Sequence, residues 1–351
     1  MTAYNIHVIA GDGIGTEVTA CGMKILEAAA RQHGFDVHFT EHDWGSDYFF
    51  RQGRMMPVNG LDTLRAADAI ALGAVGHPDI PDHITLHGLL LPIRRGFDQY
   101  VNVRPAVLFT GVESPLAGFP PRSIDMVVIR ENTEGEYAPV GGFVHHHHAG
   151  EVAVQSAVFT RAGCERVIRF AFELAMKRRR RVTSVTKSNA QAYGMVLWDR
   201  VFQMTARDFP DVETESLLVD AAAMNFIRRP DSFDVVVASN LFGDILSDVS
   251  AIAAGSIGLA ASANIDPTRQ YPSLFEPVHG SAPDIVGRGI ANPLASILSV
   301  SMMLEHLGQH EAGRNVEAAV RAVLSEGSVR TPDLGGTSST SEVRDAVLAK
   351  L

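Results

Sequence analysis

Short runs of Val, Ile, Leu and Ala alternate along the chain with longer stretches whose apolar residues recur every three or four positions. The runs read as buried strands and the stretches as amphipathic helices. Strands are expected at 5–10, 36–40, 69–76, 126–129, 182–186, 215–219 and 233–239. Helices are expected near 16–33, 60–67, 164–176, from 240 onward, at 294–307 and 315–325, and after the Gly/Ser/Thr-rich turn at 335–340. Strands alternating with helices imply a sheet covered on its faces, the α/β class. Helix breakers at both ends of 275–285, and again at 289–293, mark loops.

Composition narrows the class. A chain of 351 residues suits two domains, or one large α/β unit with a subdomain. Thirty Lys and Arg against forty Asp and Glu leave a net charge of −10, which opposes general binding to nucleic acid or to acidic membranes. Two cysteines, Cys21 and Cys164, make no disulfide framework, so a reducing compartment is expected. No apolar run reaches the roughly 18 residues of a membrane span. The first residues lack the shape of a secretory signal, so the expected location is cytoplasmic.

Candidate chemistry gathers at strand ends. Asn240 and Gly243 break the run 233–239, and helical spacing follows, with Asp244 and Asp248 at i and i+4 on one face. Such a carboxylate pair suits Mg2+ or Mn2+. It equally suits a helix start with one acid toward solvent. Gly11, Gly13 and Gly15 form a strand-to-helix turn that reads as a phosphate site or as a plain close-approach turn. The spacing fits a dinucleotide fingerprint poorly. Arg94, Arg104 and Arg130 stand on separate segments, Arg130 at a strand's carboxyl end, and arginine's fork matches a carboxylate; Arg95 reads as a surface ion pair. Lys187 leaves the strand 182–186, where a lysine can take part in proton transfer. Asp220 follows the strand 215–219. The histidines 145–148 read as an exposed loop, and the basic run 177–181 as a solvated helix end.

Together these residues resemble a known family, the metal-dependent β-decarboxylating dehydrogenases of the isocitrate/isopropylmalate type. The resemblance spans essentially the whole chain. It rests on GDGIGTEV (11–18), Arg94 ten residues before VRP, RENTEGEY (130–137), TKSN (186–189), SNLFGDILSD (239–248), and EPVHGSAPDI with GIANP (276–293). WGSDYF (44–49), GRMMP (53–57), PDHITL (81–86) and FDQYVNVRP (97–105) are closest to the tartrate and D-malate branch.

The resemblance implies an isopropylmalate-dehydrogenase-like α/β fold in three layers. Its large mixed sheet would be flanked by helices, and it would not be of the Rossmann type. Residues 1–101 and 252–351 would form the large nucleotide-binding domain, and 102–251 a smaller α/β domain with a dimer clasp at about 131–157. It implies a homodimer with shared active sites: Asp244 and Asp248 would bind Mn2+ or Mg2+ with Asp220 of the partner subunit, and K+ is a further candidate ion. Arg94, Arg104 and Arg130 would clamp carboxylates. Lys187 of the partner subunit would help remove the hydroxyl proton while hydride passes to NAD, and Tyr137 would protonate the enol carbon. The cofactor would lie against His279, Gly280, Ser281, Ala282, Asp284 and Asn292, with Asn189 also contributing. Gly11–Gly15 would then sit near the nicotinamide side. Asp284, facing the ribose hydroxyls, would favour NAD over NADP.

Within the family the segment before Arg94 sets substrate choice. Here His87 replaces the branch's bulky tryptophan, and Leu90 and Leu91 resemble the isopropylmalate pocket. The substrate class expected is a small hydroxy-dicarboxylate: D-malate, oxidised and decarboxylated to pyruvate, or tartrate, with 3-isopropylmalate as the alternative. A non-catalytic regulatory or structural subunit would lack one of the metal carboxylates, Tyr137 or Lys187. All are present.

Overall fold

A computed structural model describes residues 2–351. The chain opens with β1 (Ala3–Gly11), α1 (Gly15–His33), β2 (Asp36–His42), α2 (Ser46–Gln52), α3 (Gly60–Leu64), β3 (Ala69–Ala74), α4 (Asp82–Gly88), α5 (Leu90–Gly96) and β4 (Val101–Val107). There follow β5 (Asp125–Glu131), β6 (Gly141–Val144), β7 (Val152–Gln155), α6 (Arg161–Met176), β8 (Arg181–Thr186), α7 (Gly194–Ala206), β9 (Glu213–Leu218), α8 (Val219–Arg228), β10 (Val235–Ala238) and α9 (Asn240–Ala253). The chain ends with β11 (Ala261–Ile265), β12 (Ser273–Pro277), α10 (Leu294–His306), α11 (His310–Glu326) and α12 (Thr340–Leu348).

Two compact units result. Met1–Gln99, Arg104–Ile124 and Ala251–Leu351 make the larger, and Tyr100–Val103 with Asp125–Ser250 the smaller. Arg104–Ile124, expected in the small domain, thus packs with the larger unit.

In the larger unit the strands run β2-β1-β3-β12-β11. β1 is parallel to both neighbours and β12 is parallel to β3, while β11 is antiparallel to β12, so the sheet is mixed. α10 lies on β11 and β12, and α1 and α11 lie against α10. That explains why α10 shows no polar face: Leu294 to Ser301 are all buried. A second layer of apolar side chains joins Ile9, Ile70, Leu72 and Leu274 to Trp44, Met55, Leu90, Ile93 and Phe97.

In the smaller unit β5, β10, β8 and β9 are neighbours and all parallel. β10 is Val-Val-Val-Ala and wholly buried, as a strand covered on both faces must be. α6 rests on β5, β8 and β10. β6 and β7 form a separate antiparallel ribbon, exposed throughout, with the histidines 145–148 in its turn. Among the described residues no helix is long and apolar enough to cross a membrane.

Three expectations change. The basic run 177–181 is a solvated helix end only in part: Lys177, Arg179 and Arg180 are exposed, but Arg178 is drawn inward. Asp234, 1% exposed, accepts from Arg178 Nε at 2.8 Å and from the Arg179 backbone N–H at 2.9 Å, and Arg178 also holds Asp125. A buried carboxylate needs such donors, and the run supplies them. Arg95 is half-buried beside Arg94 rather than a surface residue. Residues 275–277 belong to β12 rather than to a loop. The elements missed include the short helices α2, α4 and α5, the longer α7 and α8, the strands β4, β6 and β7, and β11, whose Ala-Ser-Ala-Asn-Ile carries little strand signal.

Candidate active site

The smaller unit assembles part of the expected site around α9. The buried strand β10 ends at Ser239, and α9 opens at Asn240. Asp244 is half-buried and Asp248, one turn on, is exposed. Arg130, 1% exposed, ends β5 beside them. Its Nε and Nη2 donate to Asn240 Oδ1 at 3.0 and 2.7 Å, and its Nη1 donates to Asp244 Oδ1. Tyr137 Oη donates to the other Asp244 oxygen, Oδ2, at 2.7 Å, and the Arg130 guanidinium lies 5.2 Å from the centre of the Tyr137 ring. The approach of α9 to β5 depends on Gly243, where a Cβ would stand 2.7 Å from Arg130 Cβ.

The segment leading to Tyr137 is fastened by its own glutamates. Buried Glu131 accepts from Thr133 N, Thr133 Oγ1 and Glu134 N, and burial holds its carboxyl above the usual range. Glu134 accepts from Thr160 N and Oγ1 at the start of α6. Glu136 accepts from Ser239 and Leu241. No spacing rule pointed to the ties of Glu134 and Glu136, because their partners lie 26 to 105 residues away.

Parallel pairing of β8 with β9 brings two further expected residues together. Lys187 follows β8, Asp220 lies in the first turn of α8, and Lys187 Nζ donates to Asp220 Oδ1 at 2.6 Å. The ammonium holds the Asp220 carboxyl below its ordinary range. Asn189, two residues beyond Lys187, is exposed. This pair stays apart from α9's acids: among the described residues no three His, Cys, Asp or Glu side chains converge to hold a metal within one chain.

In the larger unit Arg94 is 3% exposed and donates to Glu276 Oε1 at 2.9 Å, an oxygen that also accepts from Asn264. Arg104 is buried in β4. His87 is largely exposed on α4, and partial loss of water around its ring, with the nearby Arg95 charge, lowers its pKa. Leu90 sits in the apolar cluster with Ile93 and Phe97.

The glycine turn is a close-approach turn. A Cβ at Gly13 (φ +56°) would stand 2.1 Å from the Ser281 carbonyl oxygen, and the Ile14 N–H donates to that oxygen at 2.9 Å. Asp12 ties the turn down by accepting from Ser46 N, Ser46 Oγ and Gly76 N. The turn therefore braces the 279–284 loop. There His279 Nε2 is buried with no hydrogen-bond partner among the described residues, a Cβ at Gly280 would meet nothing, Ala282 takes φ +41°, and Asp284 is exposed. Asn292 is occupied structurally: it donates to Asp333 and accepts from Leu294 N at the start of α10.

Residues 5–347 match the isocitrate/isopropylmalate dehydrogenase family. A probable tartrate dehydrogenase/decarboxylase of Bacillus subtilis strain 168 is 51% identical, over 100% of this chain and 99% of its own. The D-malate dehydrogenase (decarboxylating) of Escherichia coli K12 is 48% identical, over 99% and 98%. The tartrate dehydrogenase/decarboxylase of Pseudomonas putida is 49% identical, over 98% and 97%. Among solved structures, isocitrate dehydrogenase from Methylococcus capsulatus superposes with a TM-score of 0.89 at 37% identity, covering 99% of each chain. The chain belongs to the isocitrate/isopropylmalate dehydrogenase family and is an enzyme of its dehydrogenase type.

Proposed function

From this membership we propose that the chain oxidises and decarboxylates a small 2-hydroxy dicarboxylate with NAD+ and Mn2+ or Mg2+, taking D-malate to pyruvate and CO2, or tartrate. The observation that carries the reading is the Arg130–Asp244–Tyr137 cluster, set in a chain about half identical to full-length tartrate and D-malate decarboxylating dehydrogenases.

The residues fit the groups the family implies. Asp244 and Asp248 offer hard oxygen donors one helical turn apart on α9. The third carboxylate, Asp220, is not gathered with them in one chain, which supports its coming from the partner subunit of a homodimer, together with Lys187. The unpaired buried His279 nitrogen, the open Gly280 backbone and the exposed Asp284 carboxylate fit a nucleotide along 279–284. When bound, the metal supplies Lewis acidity at the substrate's 2-hydroxyl oxygen, and NAD+ supplies the hydride acceptor.

The chain's own residues do the rest. Arg94, Arg104 and Arg130 hold substrate carboxylates; Arg94 gives Glu276 one donor and keeps others of its fork. Lys187 of the partner subunit, paired with Asp220, helps remove the proton of the 2-hydroxyl as hydride leaves C2 for NAD+. The carboxyl β to the new ketone departs as CO2, its bonding electrons forming the enolate. Tyr137 gives a proton to the carbon that lost CO2, and Asp244, which accepts from the Tyr137 hydroxyl before that transfer, holds the phenol in place. For D-malate the atoms balance as D-malate and NAD+ to pyruvate, CO2 and NADH. The test is stoichiometry: with Mn2+, NADH and pyruvate should appear in equal amounts from D-malate. NADH formed without pyruvate would remove the decarboxylation half of the proposal.

A further inference from the structure

Glu136 precedes Tyr137 in sequence but reaches away to α9. Its Oε1 accepts from Ser239 Oγ at 2.9 Å, and its Oε2 accepts from the Leu241 N–H at 3.2 Å. Leu241 lies in the first turn of α9, where backbone N–H groups lack acceptors within the helix and the dipole favours an anion. One turn further along, the same helix carries Asp244, the acceptor of the Tyr137 hydroxyl. The contacts close a ring: Glu136 to Leu241, along α9 to Asp244, back through the Tyr137 hydroxyl, and across one peptide bond to Glu136. Asn240 braces the ring from the other side. It donates to the Glu134 carbonyl at 3.1 Å and accepts from Arg130. The Tyr137 ring itself is only half-buried, so packing alone does not fix its hydroxyl.

We infer that Glu136 is a positioning residue that sets the Tyr137 hydroxyl against Asp244 for proton delivery to the enol carbon. The inference rests on the acid role proposed for Tyr137. A misplacement of about 1 Å in a reacting group can cost on the order of a hundredfold in rate, so a side chain that fixes helix and tyrosine together has kinetic consequences.

The test compares wild type, Glu136→Gln, Ser239→Ala and Tyr137→Phe as full-length enzymes, with D-malate, NAD+ and saturating Mn2+. Glutamine keeps the size of Glu136 but removes the charge facing α9. Its kcat is expected to fall about tenfold, with a larger solvent deuterium isotope effect as protonation becomes limiting. KM for D-malate and for NAD+ should stay within about twofold of wild type. Ser239→Ala removes only one of the two bonds, so it should show the same pattern more weakly, and it reads the effect if the glutamine variant does not fold. A lowered melting temperature with kcat and isotope effect unchanged would make Glu136 merely structural and overturn the inference. So would a Glu136→Gln defect that appears only when Mn2+ is held below saturation. If Tyr137→Phe loses turnover while both other variants keep it, positioning by Glu136 alone fails. If Tyr137→Phe turns over normally, the acid role fails and the inference falls with it.

Discussion

Tyr137 and Asp244 lie 107 positions apart in the chain, yet the tyrosine hydroxyl donates to the aspartate at 2.7 Å. The bond links the proposed acid to a proposed metal ligand, so the group that delivers the proton and the group that holds the substrate's oxidised end share one anchor. Removing the hydroxyl should therefore damage turnover more than binding. Tyr137→Phe is expected to lower kcat about a hundredfold, in the range for lost general-acid catalysis, with KM for the acid little changed. Stability should fall by about 1 kcal/mol, the usual worth of one such hydrogen bond. Steady-state kinetics decides it: a large rise in KM with kcat intact would contradict the assignment.

Asp248 stands one turn beyond Asp244 on α9 and faces solvent. Asp248→Asn keeps the shape and removes the charge, so the Mn2+ concentration for half-maximal rate should rise about tenfold or more while kcat falls. A Mn2+ titration of activity reads both. Normal activity at limiting Mn2+ would remove Asp248 from the metal site.

Asp284 is exposed on the 279–284 loop, and Val286 beside it is exposed too. A carboxylate there repels a 2′-phosphate, so Asp284→Ala combined with Val286→Lys should raise kcat/KM for NADP relative to NAD by about tenfold. An unchanged ratio would place the cofactor's ribose elsewhere.

His42 stacks on Trp44 with ring centres 4.2 Å apart, and its Nε2 lies 3.0 Å from His7 Nδ1. Burial, with His7 as a second cause, lowers the His42 pKa from 6.5 to about 4. Below pH 6.5 the unfolded chain takes up a proton that the folded chain refuses, so stability should fall as the pH drops from 6.5 toward 4. Urea midpoints across that range should slope less in His42→Gln than in wild type. Identical slopes would show that His42 does not carry the acid sensitivity. His306, lowered by burial to about 4, supplies slope that remains, together with His7, His87 and His279, which are also lowered.

Much of the fold could be read in the sequence because the signal was local. Val235–Ala238 is apolar on both faces, and the Asp244/Asp248 spacing is a property of one helix. What stayed hidden is pairing across distance. Asp234 needs Arg178, Arg94 needs Glu276, and the tie of Glu136 to Leu241 joins segments that no periodicity relates. The basic run 177–181 shows the same limit: its composition suggested solvation, which holds for Lys177, Arg179 and Arg180 but not for Arg178, which is drawn onto the buried Asp234. The motifs pointed to the proposed site residues of the smaller unit, while the placing of those residues came from the parallel register of β5, β10, β8 and β9.

The most direct measurement is NADH formation by the purified enzyme with Mn2+, offered D-malate, each tartrate isomer, isocitrate and 3-isopropylmalate in turn. D-malate or a tartrate should give the highest kcat/KM, with CO2 released alongside NADH. Preference for isocitrate or 3-isopropylmalate would contradict the substrate assignment, and no NADH from any of the five acids would contradict catalysis itself.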